Sequence, residues 1–580
     1  MENLGLRSLI LTGYADFWPK SESDEKNAIY LGPWCFSKNE FRKFYEQESF
    51  ELLPSPYNDW KDVKKYWNYI SDLHDRLIKQ LSAFLNEFCG LSESEKFWKI
   101  RTTYWLVHWL CCYHDRYLNL KKIDQKNLKV KLIRPSGNFR PESCESAMEK
   151  LKDHEYNLIL YSELAKKLNL PELQLEEISL SVVETATREI TLKERIHYFL
   201  HYQLFFLFFG IVFGECKGLS WKDKLGLSLS SFSLVRFFST FSFLFLKKRI
   251  YPGISLTLDS FSPQNEFEIC VQENILKHIP SDIFTNRPSL EKGGVWVGFD
   301  VHNSRFADLI SRYTGNNGKW FSVQHGGGYD QYLIFPHEKI EFESSNGFVS
   351  WGWKNSKSNK IISLPSPYLT KLNLLRKEYS DIDKKDILYV STEHFAYYIR
   401  YHSTLRPESQ LEYLKSQANF ILELPEDLKK NLVFRASVGF GWNNLEFLKN
   451  HAYLPKISSG GTLTDLMFRS KIVVIDHLAT SYIECLAANI PLLLCFEENH
   501  FGYSKKFRQY LLILQNVGIY HNHYLSAVNF LKEEYSKIDV WWNSEEVQNA
   551  RIHFLNEYGK MDTNWFSDWS EAFSSRSLSQ

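Results

Sequence analysis

The stretch VQHGGGYD, Val323 to Asp330, puts a histidine directly ahead of three glycines. Glycines give up side-chain packing and cost conformational entropy, so a bare backbone here needs a reason. Without side chains, Gly326 and Gly327 can come close to a ligand and present their N–H groups, as phosphate-binding loops do. His325 then projects from a strand end. An imidazole there can hydrogen-bond a phosphate or carboxylate, or act as a base near neutral pH. The plainer alternative is a glycine-rich turn with an incidental histidine.

A second stretch, KIVVIDHLATSYIECLAANIPLLLCF from Lys471 to Phe496, reads as a buried strand ending at Asp476, a helix opened by Thr480 and Ser481, and a new strand from Pro491. A helix N-terminus after a strand carries unpaired N–H groups and a positive dipole end, suited to phosphate. Thr480 and Ser481 add hydroxyls, and Glu484 sits one turn in, where a carboxylate can hold ribose hydroxyls. The competing reading is structural: Ser481-Tyr-Ile-Glu484 fits the S/T-x-x-E capping box, and Asp476 can be a satisfied strand-end carboxylate. After a third strand, Arg435 is placed to clamp a phosphate or sugar carboxylate bidentately, with a surface ion pair as the alternative. In STEHFAYYIR, Ser391, Glu393, His394 and Arg400 show no tight spacing logic and read as solvated. Trp351 and Trp353 of VSWGW read as interdomain packing.

These loops need strands to hold them. From about residue 295 onward, short apolar stretches alternate with turns and helices: VWVGFD, KWFSVQ, GFVSWGW, DILYVS, NLVFRAS, KIVVID and PLLLCF. That alternation is the pattern of parallel α/β sheets, whose ligands bind outside the carboxyl ends of the strands. NAIYLGPWC, near the start, reads as a short buried strand ending in a Gly-Pro turn. Residues 60 to 125, with aromatics at helical spacing, and most of 145 to 250 read as helical. The charged RKEYSDIDKKD, Arg376 to Asp386, reads as a linker.

With 580 residues the chain is too long for one core. Hydrophobic residues at 44% and charged residues at 24% describe a globular protein, not a disordered one. Lys plus Arg equals Asp plus Glu at 69 each, which argues against a chain-wide nucleic-acid footprint. The nine cysteines show no CxxC spacing and read as reduced thiols of a cytoplasmic protein. The N-terminus lacks the pattern of a signal peptide. Two aromatic runs, Phe199 to Phe213 and Phe232 to Leu246, fall short of the roughly 20 apolar residues a spanning helix needs. They read as buried or half-buried helices. The alternative is an interfacial element, with Lys247, Lys248 and Arg249 meeting anionic lipid.

Taken together, YLGPWC, VQHGGGYD, VSWGW, FRASVGFGW, IDHLATSYIECLAANIP and VGIYHNHYLSAVNFLKEEYSKIDVWW resemble, in order and across nearly the whole chain, a family of bacterial transferases from surface-polysaccharide loci. The chain departs from that pattern at Pro33, where the family carries an acidic residue, and at Ala436-Ser437, where an aromatic–proline step is usual. The resemblance implies an α/β, GT-B-like glycosyltransferase: two Rossmann-like domains facing a cleft, with a large helical insertion in the N-terminal half. It implies an acceptor-side domain over 1–375 with the insertion at about 60–290, a nucleotide-sugar domain over 384–540, and a tail over 541–580 packing back on the first domain. The region 472–491 also resembles the donor site of transferases using CMP-activated ulosonic acids, and more loosely that of polyol-phosphate polymerases.

The expected reaction moves a sugar from a nucleotide donor to a surface-polysaccharide or glycolipid acceptor. Thr480, Ser481 and the helix N-terminus would hold phosphate, Glu484 ribose, and Arg435 a phosphate or donor carboxylate. His325, Gly326 and Gly327 would line the cleft opposite, with His325, Asp330 or Asp300 as the base. No cofactor or metal is expected, since no DxD-like pair occupies a loop and a helix dipole plus Arg can offset leaving-group charge. The expected partners are a nucleotide sugar and a saccharide or lipid-linked acceptor, with no nucleic acid and with peripheral contact at the cytoplasmic face of the inner membrane. A sugar-nucleotide epimerase, a polyol-phosphate transferase and a non-catalytic assembly module are the other classes.

Overall fold

A strand followed by a helix returns to its sheet in the same direction, so alternation of the two enforces parallel pairing. The computed structural model contains three such sheets, each of five parallel strands. It describes residues 6–37, 50–124, 127–136, 139–169, 173–181, 211–229, 257–284, 288–289, 294–315, 317–355, 358–437, 439–452, 456–458 and 460–574. The first sheet has β1 (Arg7–Ile10), β2 (Ile29–Tyr30), β3 (Glu51–Leu52), β4 (Leu128–Ser136) and β5 (Leu173–Ser181), in the order β3-β2-β1-β4-β5. The second has β6 (Ile211–Phe213), β7 (Val295–Val297), β8 (Lys319–Val323), β9 (Gly347–Ser350) and β10 (Ile361–Ser363), stacked monotonically as β10-β9-β8-β7-β6. The third has β11 (Ile387–Val390), β12 (Leu432–Arg435), β13 (Ile472–Ile475), β14 (Leu492–Cys495) and β15 (Tyr520–His521), in the order β12-β11-β13-β14-β15.

The α/β expectation holds, and all seven apolar stretches from residue 295 onward are strands. The second and third sheets form the expected facing pair. The first sheet is an addition, and it corrects the reading of 60–290 as a helical insertion: β4, β5 and β6 lie inside that range. In β4, LKVKLIRPS, buried Leu128, Val130 and Leu132 alternate with exposed Lys129 and Lys131. That is the period-2 pattern of a half-buried strand, set between long helices that dominate the region. The aromatic run at 199–213 was expected to be a helix. Its last three residues are strand β6, and the rest of it, like 232–249, lies outside the described residues. Among the described residues no helix is long and apolar enough to cross a membrane.

The helices Trp60–Cys89 and Glu95–Lys121 form as the sequence implies. Asp59 caps the first, accepting from the backbone N–H of Lys61 and Asp62, and Gly90 ends it in a left-handed conformation at φ 63°. Val63, Trp67, Ile70, Leu77, Leu81 and Leu85 make its buried stripe. The second helix, capped by Ser94, is buried on nearly every side. It packs against the first helix and against the helices His154–Leu168 and Ser304–Thr314, in the largest core cluster. All nine cysteines are buried. Near the chain's other end, the helix Trp565–Ala572 lies on the second sheet. Trp565, Trp569 and Phe573 pack with Phe213, Val297 and Phe321, and Trp569 Nε1 donates to the Pro365 carbonyl at 2.9 Å.

Candidate functional site

The strand order of the third sheet locates a crevice. β11 is the first strand in sequence, its successor β12 lies on one side, and β13 lies on the other. The connections leaving β11 and β13 therefore diverge to opposite sides, a topological switch point where open α/β sheets bind ligands. The second sheet, wound in one direction, has no such point. Beside the β11 and β13 loops, and facing the β8 loop, lies a cavity of about 310 Å³. Its walls come from 325–327, from 392–407 and from His477 to Thr480. A wider hollow of about 900 Å³ runs along β1 and borders undescribed residues. The smaller cavity is the one where polar groups from both facing sheets converge.

The β8 loop explains its own sequence. Gln324 Oε1 accepts from the Trp351 N–H at 2.9 Å and from Trp353 Nε1 at 2.8 Å, and Gln324 Nε2 donates to the Gly326 carbonyl at 2.8 Å. The Gly327 N–H donates to Thr480 Oγ1 at 3.1 Å. A Cβ on Gly327 would lie 2.4 Å from the Ala479 carbonyl oxygen, and one on Gly326 would lie 2.8 Å from Thr480 Oγ1. Gly328 has φ +96°, a left-handed value that favours glycine, and its N–H donates to Gln331 Oε1 at 3.1 Å. Tyr482 OH donates to the same Gln331 oxygen at 2.5 Å, and Tyr332 OH bonds the Leu478 carbonyl. The glycines let this loop close on the loop after β13. For Gly327 this corrects the cradle reading, because its N–H is already used within the protein.

His325 is carried to the cavity edge by that packing. Its ring stacks on Phe299 at 3.6 Å between centroids, and Phe299 stacks on His302 at 4.8 Å. His325 Nδ1 lies 2.8 Å from the Tyr329 hydroxyl, which donates to Glu341 Oε1 at 2.7 Å. Ser322 Oγ donates to the other Glu341 oxygen at 2.9 Å. With the phenol proton turned toward Glu341, the phenol oxygen accepts from Nδ1–H. The lone pair then rests on Nε2, which has no hydrogen-bond partner among the described residues. Burial, followed by the charges of His302, Lys217 and Arg400, lowers the His325 pKa to about 3, so the ring is neutral near pH 7. Glu341 sits in a single turn of π-helix, Lys339–Glu343, and burial raises its pKa well above the usual carboxylate range.

A second imidazole reaches the cavity from the third sheet. His477 Nδ1 is 3.0 Å from Asp476 Oδ1, and Asp476 also accepts from Tyr413 OH and Gln417 Nε2, both at 2.7 Å. Asp476 is thus a strand-end carboxylate with every partner inside the protein, and it orients His477 instead of meeting a ligand.

The loop after β11 overturns the reading of 391–400 as solvated. Glu393 is buried and accepts from the N–H groups of Phe440 and Trp442, both at 2.8 Å, which fixes the FRASVGFGW loop. His394, Arg400 and His402 line the cavity.

Several expected site residues lie elsewhere. Asp300 is buried behind the cavity, accepting from Trp296 Nε1 at 2.8 Å and the Glu215 N–H at 2.8 Å, and burial pushes its pKa up to about 7. Asp330, at φ 60°, pairs with Lys506 at 2.6 Å, and Lys506 also pairs with Glu557 at 2.5 Å in a clasp between the β8 loop and two C-terminal helices. Glu484 pairs with Lys217 at 2.8 Å and accepts from Tyr368 OH at 2.9 Å. No capping box forms: Thr480 is the N-cap of the seven-residue helix Ser481–Ala487, and the buried Ser481 hydroxyl has no partner among the described residues. Arg435 donates to the Ser458 carbonyl at 3.2 Å, outside the cavity. Thr480 does line it, and with Oγ1 accepting from Gly327 its own O–H proton remains to donate.

His402, His477 and Glu341 are absent from the sequence reading, and His394 and Arg400 figure in it only as solvated. A signal was present for four of them. STEHFAYYIRYHST leaves a strand end packed with polar aromatics, histidine and arginine, and His477 directly follows a strand-end aspartate.

Residues 7–573 match the model of a family described as LIC12162 family transferase. No curated protein matches the chain. Among solved structures, the wall teichoic acid polymerase TagF is similar at 10% identity and a TM-score of 0.30, covering 50% of this chain and 83% of that one. MnaA from S. aureus with UDP is similar at 12% and 0.31, covering 78% and 98%. WaaG, a glycosyltransferase involved in lipopolysaccharide biosynthesis, is similar at 10% and 0.24, covering 50% and 76%. Superpositions this loose add nothing to the sheet order already described.

Proposed function

The chain belongs to the LIC12162 family of transferases, and from that premise we propose that it moves a glycosyl group from a nucleotide-activated sugar to an acceptor hydroxyl in the cavity between the second and third sheets. The observation that carries this reading is His325: a neutral imidazole with Nδ1 tied back to Tyr329 and Glu341, and Nε2 left to the cavity. In the step we propose, the acceptor oxygen attacks the anomeric carbon while His325 Nε2 takes its proton. The bond from that carbon to the donor phosphate oxygen breaks, and the phosphate leaves with the electron pair. General-base help of this kind is worth roughly 10²–10⁴-fold.

The nucleotide would lie on the third-sheet side, at the switch point beside Thr480 and His477, and the acceptor on the His325 side. The donor we favour is a CMP-activated ulosonic acid, on the resemblance of 472–491. The acceptor we favour is a surface-polysaccharide or lipid-linked saccharide, which would bring the protein to the cytoplasmic face of the inner membrane.

The reading is tested by thermal stabilisation with CMP, CDP, UDP, GDP and ADP, followed by transfer assays with the matching sugar nucleotides. A nucleotide at about 100 times its Kd adds roughly 2.7 kcal/mol. Selective stabilisation by CMP and release of CMP only when acceptor is present are the expected results. Release of product from donor alone would make the protein an epimerase or hydrolase instead, and transfer that survives in His325→Ala would remove the base.

A further inference from the structure

Arg400 is the least compensated charge in this cavity. Among the described residues its guanidinium has one hydrogen-bond partner, His108 Nε2 at 3.4 Å, and no carboxylate pairs with it. The groups acting most strongly on it are Tyr104, Tyr332, Cys111 and Tyr329, all neutral near pH 7. A guanidinium keeps its proton throughout the accessible pH range. Arg400 is half-buried, and a partly desolvated cation without a counter-charge is favourable ground for an anion.

The neighbouring elements bring histidines. The helix Glu95–Lys121 contributes Tyr104 and His108, the loop after β7 His302, and the loop after β8 His325. The turn Pro336–Glu338 contributes His337, the loop after β11 His394 and His402, and the loop after β13 His477. Lys217, from the loop after β6, also lies near, but it is paired with Glu484 at 2.8 Å. The nearby carboxylates are engaged elsewhere: Glu341 by Tyr329 and Ser322, Asp476 by Tyr413, Gln417 and His477, and Glu215 at 3.9 Å from His302. Four of these ring nitrogens, His302 Nδ1, His337 Nδ1, His394 Nε2 and His402 Nε2, are buried with no hydrogen-bond partner among the described residues. Buried polar atoms in a folded protein are otherwise almost always paired.

We propose that the cavity holds a phosphate-class anion against Arg400 and takes up protons onto the surrounding histidines as that anion binds. An arginine fork and several imidazole N–H donors match a multiply charged, multi-oxygen phosphoryl group better than a single carboxylate. Without an anion, a charged imidazole beside Arg400 adds like charge in a dry site, so the rings stay neutral. Burial, then Arg400, holds the pKa of His337 and His402 well below the ordinary 6.5, and burial with the charges of His477 and Arg400 holds His394 at about 3. A bound dianion reverses the sign of the field and raises those values. Protons then enter with the ligand, and affinity strengthens as pH falls.

The anion can come from the donor's phosphate or from a phosphate on a lipid-linked acceptor. The inference rests on this cavity being the transfer site. It is read with pyrophosphate and no sugar, so its failure and a failure of transfer appear in separate measurements.

The experiment is calorimetric titration of the full chain with pyrophosphate, in two buffers of different ionisation heat, from pH 8 to pH 6.5. The expected result is net proton uptake beyond pyrophosphate's own, with affinity rising about tenfold per pH unit for each linked proton. Arg400→Gln should weaken binding by more than tenfold. The pair His394→Asn with His402→Asn should bind pyrophosphate and lose most of the proton uptake, which keeps the test open if Arg400→Gln fails to fold. Competition by CMP or UDP assigns the anion to the donor, and competition by a short alkyl phosphate assigns it to the acceptor. Binding without proton uptake, unchanged affinity in a folded Arg400→Gln, or competition by neither ligand overturns the proposal.

Discussion

The two walls of the cavity are built on opposite principles. On the β8 side, Gln324, Gly327, Gly328 and Tyr332 hydrogen-bond inside the protein, and Gln331 does so through Oε1 while its Nε2 has no partner among the described residues. On the β11 side, His394, Arg400 and His402 hold polar atoms in reserve. The first wall is finished by the fold and can position a reacting group to within a fraction of an ångström. The second is finished only when something binds. A satisfied network rigidifies and an unsatisfied one waits for a partner, so the wall that looks more like a ligand cradle in the sequence, HGGG, is the structural one.

The strongest way to break that contrast is His325→Asn, which removes a ring whose Nδ1 is tied back to Tyr329 and whose Nε2 is left to the cavity. Transfer should fall by roughly 10³-fold, while nucleotide-dependent stabilisation stays within twofold of the wild type. Steady-state rates and melting curves on the same preparation check both halves. Equal loss of binding and transfer would merge the two walls into one.

Next comes Gly327→Ala. Its Cβ would sit 2.4 Å from a backbone oxygen, so the two loops must separate. A loss of about 1–3 kcal/mol is expected, as for other overpacked sites, with transfer reduced alongside. Gly460→Ala, where nothing lies within 4 Å of the new Cβ, is the matched control and should be silent in denaturant titration.

A smaller effect is expected from Tyr329→Phe, which keeps the ring but cuts the link from His325 Nδ1 to Glu341. Rates should drop about tenfold, at the low end for a lost orienting hydrogen bond, with Kd for nucleotide unchanged. A pH–rate profile whose acid limb moves relative to the wild type would show that the relay sets the protonation of the imidazole.

The mildest test uses pH alone. His325 and His394 have pKa values near 3 in the folded protein, against about 6.5 when unfolded. Below pH 6.5 the unfolded chain binds protons that the folded chain does not, so this stabilisation is full above that pH and drains away as pH falls toward 3. The melting point should decline from pH 7.5 to pH 5.5. Pyrophosphate should blunt the decline, because it acts on the wall with polar atoms in reserve.

Strands were the most legible part of the sequence. KIVVID and DILYVS are apolar throughout because both faces of a parallel sheet are covered, and that pattern needs no tertiary knowledge. Of the first sheet only β2 was read, from NAIYLGPWC; β1 and β3 have four and two residues, too short for periodicity to register. At the site, residue type pointed to His325 and Thr480, and both line the cavity. It misplaced Glu484, Asp330, Asp300 and Arg435, because whether a carboxylate meets a ligand or a lysine depends on partners hundreds of positions away, as Lys217 is from Glu484. Arg400 read as solvated because its importance lies in what is not beside it, and local sequence does not report the absence of a distant counter-charge.

The helix Trp565–Ala572 has a bearing on how the molecule is made. The strands it covers leave the ribosome long before it does, so during synthesis the apolar face formed by Phe213, Val297 and Phe321 waits uncovered for its aromatic lid. The second sheet, although it lies mid-chain, is therefore among the last parts to become solvent-tight. A nascent chain halted before Trp565 would expose a face suited to chaperone capture, and completing the protein is the event that withdraws it.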